Sequence, residues 1–549
     1  MLAISKPYRG YNGMVHLQAP LRVLQVALIL GWIADLFFYN KYPGISVPLF
    51  VLLILGSLFV LGRMEGVRPA WANLWLVAPL LFFATMVFVR ENATLTFLNL
   101  CAVFVLLCVI VFFYSGDRVY KLSLLGYPAV LLVTLGHLLA RPAPAISVAA
   151  RAASAQRHRI NLVRSVLRGV FLAVPLLMIF TALLSSADSI FAGYVADLFQ
   201  LDFIVNLPDT FAHLTFILCA AWLTAGALLY ALQRRLPARG AAPGPTTGSG
   251  SDEPSLPGMF NTGLSIGFVE TVVVLTLVNL LFLVFAYVQF TNVIFGNLSS
   301  MHYEAYREYV RRGFGELLVA ASLTMVLILG LRTLGWRETY REIRIFNLLG
   351  SLMIVLAGVM LVSAFMRMVV WESVQFYINT PMRIYVRWFI IWLGLLFAWL
   401  LVTFWYRQER FAVGALVAAM GFMVSINLSN PDATTAAYNL QRKDDLATRY
   451  LYLLSDDAVP VLVAGYDYTT GQVRERLRAH LVTRLTSMEA DALRQPWPSF
   501  HLARWRAHEL LAEMRAAGKL DDPVTEGQEQ KGYPPPPNFT LVRDSPVAR

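Results

Sequence analysis

Residues 94–114 read TLTFLNLCAVFVLLCVIVFFY, without a single Asp, Glu, Lys or Arg. A helix needs about 20 predominantly apolar residues to cross the hydrocarbon of a bilayer. Inside lipid a backbone must satisfy its own N–H and C=O groups, and a helix does so within one segment. This stretch therefore predicts a membrane span. Runs of the same kind recur at 21–38, 45–62, 74–89, 122–140, 169–185, 211–232, 264–290, 314–331, 346–366, 384–405 and 411–428. With 94–114 they predict about 12 spans, and a count of 11–13 is allowed because 74–89 and 411–428 are short.

The composition agrees. Of 549 residues, 57% are hydrophobic and 14% are charged, against about 25% charged in ordinary soluble domains. That is too little charge to cover a globular surface of this size, so bilayer is the expected solvent and the first partner. The net charge of +11 does not point to nucleic acid. From residue 428 onward 15 basic residues face 16 acidic ones, so the excess lies in the apolar part. Basic residues flanking spans are a topological signal. The expected fold class is an all-α, polytopic transmembrane helix bundle with a small helical extramembrane C-terminal region. Cys101, Cys108 and Cys219 sit inside apolar runs and say nothing of redox compartment. The first run passes into YNKYPG at 39–44, with no small-residue cleavage site, and reads as a retained span.

Composition shifts divide the chain. Residues 1–232 form an N-terminal membrane block of about 7 helices. A linker follows at 233–260, whose core at 233–258 holds five Gly and five Pro and cannot pack. Residues 261–428 form a second block of about 5 helices. A soluble helical tail covers 429–518, and 519–549, with PPPP at 534–537, reads as disordered. In the tail, Asn430 is a candidate N-cap, with Pro431 at the first helical position and Asp432 in the first turn. LSDDAVPVLVAG repeats the device, with Ser455 or Asp457 as the cap.

Charge bias orients the spans. Loop 141–168 carries six arginines and is expected inside; 185–210 carries Asp188, Asp197, Asp202 and Asp209 with no basic residue and is expected outside. Counting onward, the linker and loop 332–345 fall inside. Lys6, Arg9, Arg63, Arg68, Arg118 and Lys121 disagree under strict twelve-span counting, and agree if 122–140 does not cross. Either way the tail after residue 428 is expected outside.

Four patterns carry a family resemblance: LLSSADSIFA (183–192), YVRRGFGELL (309–318), NTPMRIYVRWFIIWL (379–393), and the tail motifs between 431 and 462, NPDATTAAYNL and YLYLLSDDAVPVL. In order and spacing, from about residue 160 to 465, the chain resembles bacterial multi-span membrane proteins of domain-of-unknown-function family 4173, related to family 4153. The resemblance implies an inner-membrane protein with no established reaction.

Chemistry-bearing signatures are sparse. HExxH, GxSxG, the P-loop and GxGxxG are all missing from the sequence. His501 and His508 lie about two turns apart on one helix face, too far to share a metal unaided. No catalytic residue, metal site or cofactor is expected, and the balance of signatures leans against an enzyme. Ionisable groups near membrane depth are costly and usually face protein or water. The candidate polar site comprises Arg311, Arg312, Glu316 and Glu270, with Asp188, Arg367 and Glu372 as weaker members. Simple interfacial anchoring, or a capping box at Ser185–Asp188, explains the same residues structurally. In YREYVRRGFGELL (306–318), Glu308 and Arg312 form a favourable i,i+4 pair, and Gly313 and Gly315 allow a bend into the span. Three function classes remain open. One is a module that binds or moves a small solute, ion or lipid between helices. The second is an envelope scaffold or signalling partner acting on another protein through 429–518, and the third a membrane-embedded enzyme.

Overall fold

A computed structural model describes residues 20–116, 119–122, 126–154, 207–233, 267–294, 303–334, 339–373, 379–406, 410–442, 450–492 and 496–520. Among these residues the chain is all helix and turn, with no strand. The first helices are α1 (Pro20–Phe38), α2 (Ser46–Met64), α3 (Val77–Val89, entered through a 3₁₀ turn at Trp71–Leu76) and α4 (Ala93–Phe112). They are followed by α5 (Gly126–Ala140), α6 (Pro142–Ser154) and α7 (Leu207–Gln233). The later spans are α8 (Phe268–Ile294), α9 (Tyr303–Leu334), α10 (Tyr340–Ser373), α11 (Pro381–Trp405) and α12 (Phe411–Ser429). The tail holds α13 (Pro431–Arg442), α14 (Val459–Tyr466), α15 (Gly471–Ala492) and α16 (Leu502–Ala516).

Eleven of the described helical stretches are long and apolar enough to span a bilayer. They match, one for one, eleven of the twelve runs read from the sequence. The twelfth, 169–185, lies outside the described residues. Large apolar side chains such as Leu277, Leu280, Leu281 and Val284 point outward on these helices, a surface that lipid solvates and water does not. The protein is a multi-pass membrane protein.

The chain divides into two compact units, Met1–Thr85 with Leu100–Gly258, and Met86–Asn99 with Met259–Arg549. In the first, α1 and α5 pack against α7 at glycines. A Cβ on Gly31 would collide with the Ile217 carbonyl and Ala221, and one on Gly226 with the backbone of Leu138. Such small-residue contacts let helix backbones approach closely in lipid. Polar groups close the seam: Thr224 Oγ1 donates to the Ala27 carbonyl (3.4 Å) and Trp222 Nε1 to that of Leu139 (3.0 Å). His213 Nδ1 meets Asp35 at 2.8 Å and packs on the ring of Tyr39.

In the second unit, α8 and α10 run parallel. Asn279 Nδ2 donates to the Leu349 carbonyl (3.0 Å), and further along both helices Ser363 Oγ donates to Gln289 Oε1 (3.0 Å). Helix α9 runs antiparallel to α10, with Leu317 clustered on Met360 and Ala364. Asn347 Nδ2 bonds the Phe404 carbonyl (3.0 Å), and Trp392 Nε1 bonds Ser425 Oγ (3.0 Å) beside Gly421. The tail folds around its own core of Leu451, Leu462, Leu477, Leu481, Leu485, Ala507 and Leu511.

YREYVRRGFGELL belongs to one continuous element. Helix α9 runs through Gly313 and Gly315 into the span, and a Cβ on Gly315 would meet nothing. Neither a close approach nor a break requires that glycine. Gly315→Ala is therefore expected to be neutral or stabilising by up to about 1 kcal/mol. Gly226→Ala is expected to cost about 1–3 kcal/mol by overpacking. Thermal unfolding of the two variants in one detergent checks the contrast; equal melting temperatures would refute it.

Candidate functional site: the loop Arg90–Asn92 and the helical tail

Helices α3 and α4 are joined by only Arg90, Glu91 and Asn92. Asn92 caps α4, its Oδ1 accepting the N–H of Leu95 (3.0 Å). The N–H groups of Glu91 and Asn92 stand before that helix, and both donate to Asp457 Oδ2, at 2.9 and 3.2 Å. Asp457 Oδ1 takes Arg90 Nη1 at 3.4 Å, while Arg90 Nε donates to the Asn427 carbonyl at 3.1 Å. Three hundred and sixty-six residues separate Glu91 from Asp457 along the chain.

Asp432 makes the second attachment. Its Oδ2 accepts Asn92 Nδ2 (2.9 Å), the Ser455 N–H (3.1 Å) and the Ser455 hydroxyl. Local chemistry explains why α13 delivers it. Asn430 ends α12 at φ 43, in the left-handed region that asparagine tolerates. Its Oδ1 then accepts the N–H of Ala433 (3.3 Å), and Pro431 opens α13. Asp432 thus sits in the first turn, as the sequence suggested. About two turns further along α4, Asn99 and Asn427 of α12 exchange amide hydrogen bonds of 2.8 Å in both directions, so these buried amides satisfy each other.

Around this core lies an ion cluster. Arg504 of α16 donates through Nε to Glu91 Oε1 (2.7 Å) and again through Nη2. Its Nε is 3.7 Å from Asp456 Oδ2. Arg484 of α15 reaches Asp456 Oδ1 at 3.5 Å and donates to the carbonyls of Ser455 (3.1 Å) and Leu454. Four carboxylates (Glu91, Asp432, Asp456, Asp457) therefore meet three guanidiniums (Arg90, Arg484, Arg504). Burial pushes the Asp456 carboxyl up to about 8, helped by its hydrogen bond to Glu91 and that group's charge; Arg484 and Arg504 act the other way. Glu91 Oε2 is buried with no donor on it. Asp457 is also raised by burial, against the pull of the loop N–H groups and Arg90.

A cavity of about 430 Å³ opens beside these groups, lined by Glu91, Asn92, Thr94, Asp432, Ser455 and Asp456, among others. Among the described residues no group of three or more His, Cys, Asp or Glu has the arrangement of a metal site.

The residues singled out from sequence fall elsewhere. Glu270 lies in the first turn of α8 and accepts the Gly267 N–H at 3.0 Å as a local cap. Glu316 is exposed on α9. Asn279 and Leu349 lie level, as do Leu317 and Met360, which puts Glu270 and Glu316 roughly 30 Å apart along the helix axes. The structure does not bring those two carboxylates together. Arg367 donates to Gln289 Oε1 at 3.1 Å, in a pairing between α8 and α10. Arg311, Arg312 and Glu372 lie on helix backbone, but their side chains, and all of Asp188, fall outside the described residues.

Sequence reasoning missed Arg90, Glu91, Asn92, Arg484 and Arg504, and offered Ser455 or Asp457 only as a cap of the local helix. The available signal was RENAT at 90–94, a charged, capping loop pinched between two spans. No curated protein and no solved structure matches the chain. A family model does match, over residues 77–465. That range contains the loop, Asp432 and Ser455–Asp457; Arg484 and Arg504 lie beyond it. The match is to family 4153, so with most of its length covered the chain belongs to the family described as Domain of unknown function (DUF4153).

Proposed function

We propose that the protein is a non-enzymatic, multi-pass inner-membrane protein that acts through its helical tail, as a scaffold or signalling unit of the envelope. The observation that carries this reading is the docking of the tail. It is held on loop Arg90–Asn92 through Asp432 and Asp457, both nearly fully buried and both hydrogen-bonded to the loop. Buried charged networks of this kind specify one arrangement more than they add stability. A tail used only as a tether would not need its register set against a loop between spans. The four sequence patterns favour family 4173 within this reading, and the charge bias of the loops favours a tail outside the cytoplasm.

Complementation of a deletion strain tests it. Truncation after residue 430 and Asp457→Ala are expected to abolish complementation at normal membrane levels, while Glu316→Gln with Arg311→Ala behaves as wild type. The opposite pattern sinks the reading and restores a site on α9. A reporter fused after Arg549 fixes the side of the tail, and cytoplasmic reporter activity overturns the proposed orientation.

One observation favours a second reading. The 430 Å³ cavity presents carboxylates with Ser, Thr and Asn hydrogen-bonding groups, a lining suited to a small cationic or hydroxyl-rich solute. Solute-dependent thermal stabilisation that Thr94→Val removes would support it.

A further inference from the structure

We propose that Trp497, Phe500 and Trp505 form an aromatic edge by which the tail seats in the lipid headgroup layer, so that one face of the tail is a membrane surface. The inference concerns where the tail rests and does not depend on its acting as a scaffold.

Depth is set by the span beneath. The span Trp71–Val89 ends at Val89, and the ring of Phe88 in its last turn contacts that of Phe500 at 5.9 Å. Glu91 follows that end by two residues, at most about 7 Å of chain. Each headgroup layer is roughly 5–7 Å thick. The Glu91–Arg504 bond thus lies at headgroup depth and holds the first turn of α16 there. Trp505 is the next residue, about 1.5 Å further along the axis. Ala507, Leu511 and Met514 point into the tail core, and by helical geometry Trp505 projects on the opposite side.

Exposure and chemistry fit that depth. Trp497 is 58% exposed, Trp505 50% and Phe500 38%. Large rings left open to water are costly, whereas indoles are enriched where an apolar ring meets lipid and a polar edge meets headgroups. Exposed Arg506 neighbours Trp505 and suits anionic phosphate. A protein partner would also cover aromatics, but the continuity of Phe500 with the end of a span favours lipid.

Spin labels decide between these occupants. The full-length protein, with Cys101, Cys108 and Cys219 replaced by Ser, is labelled at Trp505→Cys or Trp497→Cys and placed in nanodiscs of phosphatidylethanolamine and phosphatidylglycerol. The control is Tyr468→Cys, 81% exposed at the end of α14 remote from Asp457. Oxygen is expected to relax the labels at 497 and 505 more than a water-soluble nickel chelate does, with the order reversed at 468. Chelate dominance at 505 overturns the proposal, and so does shielding from both reagents, which signifies a protein surface. Should the cysteine variants fold poorly, Trp497→Phe with Trp505→Phe is compared with wild type for quenching by brominated lipid. A smaller quenchable fraction supports the inference, and an unchanged fraction overturns it.

Discussion

Asp457→Ala is expected to release the loop Arg90–Asn92 from the tail. The substitution removes one carboxylate and strands three donors at once: two backbone N–H groups and the Arg90 guanidinium. Removing one partner from a buried, bonded charge pair costs about 3–5 kcal/mol, a large share of the stability of a small helical domain. Hydrogen exchange in detergent micelles reads it directly. The amides of Glu91 and Asn92 and of residues 450–466 should lose protection, while those of α10 and α11 keep theirs. Asp457→Asn is expected to fall between, because a neutral amide oxygen still accepts the loop N–H groups but no longer counters Arg90. Unchanged protection at Glu91 and Asn92 would show that the attachment rests elsewhere.

The second large effect is on pH dependence, and its sign follows from Asp456. Its folded value near 8 lies far above the ordinary 3.8, so between these limits the folded state binds a proton that the unfolded state has released. Stability from this group is full at low pH and is lost as pH rises toward about 8. Asp457, raised by the same cause, adds in the same direction. A tenfold change in proton affinity between the folded and unfolded states is worth about 1.4 kcal/mol. Because the charges of Arg484 and Arg504 act against the shift, the net loss is expected to be on the order of 2–4 kcal/mol.

His480 works in the opposite sense. Burial, with Arg484 nearby, pushes its imidazole down to about 3 from 6.5, so its contribution is lost as pH falls through that window. Its ring packs on Tyr452 at 4.3 Å and is held neutral. The two titrations oppose each other at acid pH. Above 6.5 His480 no longer titrates, and Asp456 is left to weaken the attachment up to about 8. Tail unfolding is therefore expected to become easier between about pH 6.5 and 8.5 in the wild type, and Asp456→Asn, which mimics the protonated form, should abolish that slope. A slope that persists in Asp456→Asn rules Asp456 out as its source. His480→Phe should leave this slope intact and reduce the loss of stability on the acid side.

The spans were legible because bilayer solvation is a local property. Each run such as 94–114 must satisfy its own backbone and present apolar side chains, so composition alone predicts the helix. Caps are local as well, and Asn430–Pro431 announces the start of α13 within three residues of sequence. Inter-helix placement is not local. Glu270 and Glu316 looked alike in sequence, as carboxylates near span ends, and only the parallel course of α8 and α10 with antiparallel α9 separates them.

The site itself is decided by tertiary structure. Asp457 could cap its own helix or a distant one, and the choice depends on where the chain returns 366 residues after Glu91. Burial raises the stakes of that return, since each donor of the loop must find an acceptor once water is excluded. The sequence by itself determined that this chain lives in a membrane and which stretches span it. Which charges meet, and which carboxyl is buried deeply enough for its proton affinity to rise, were decided only by packing, because those interactions join residues that no local pattern connects.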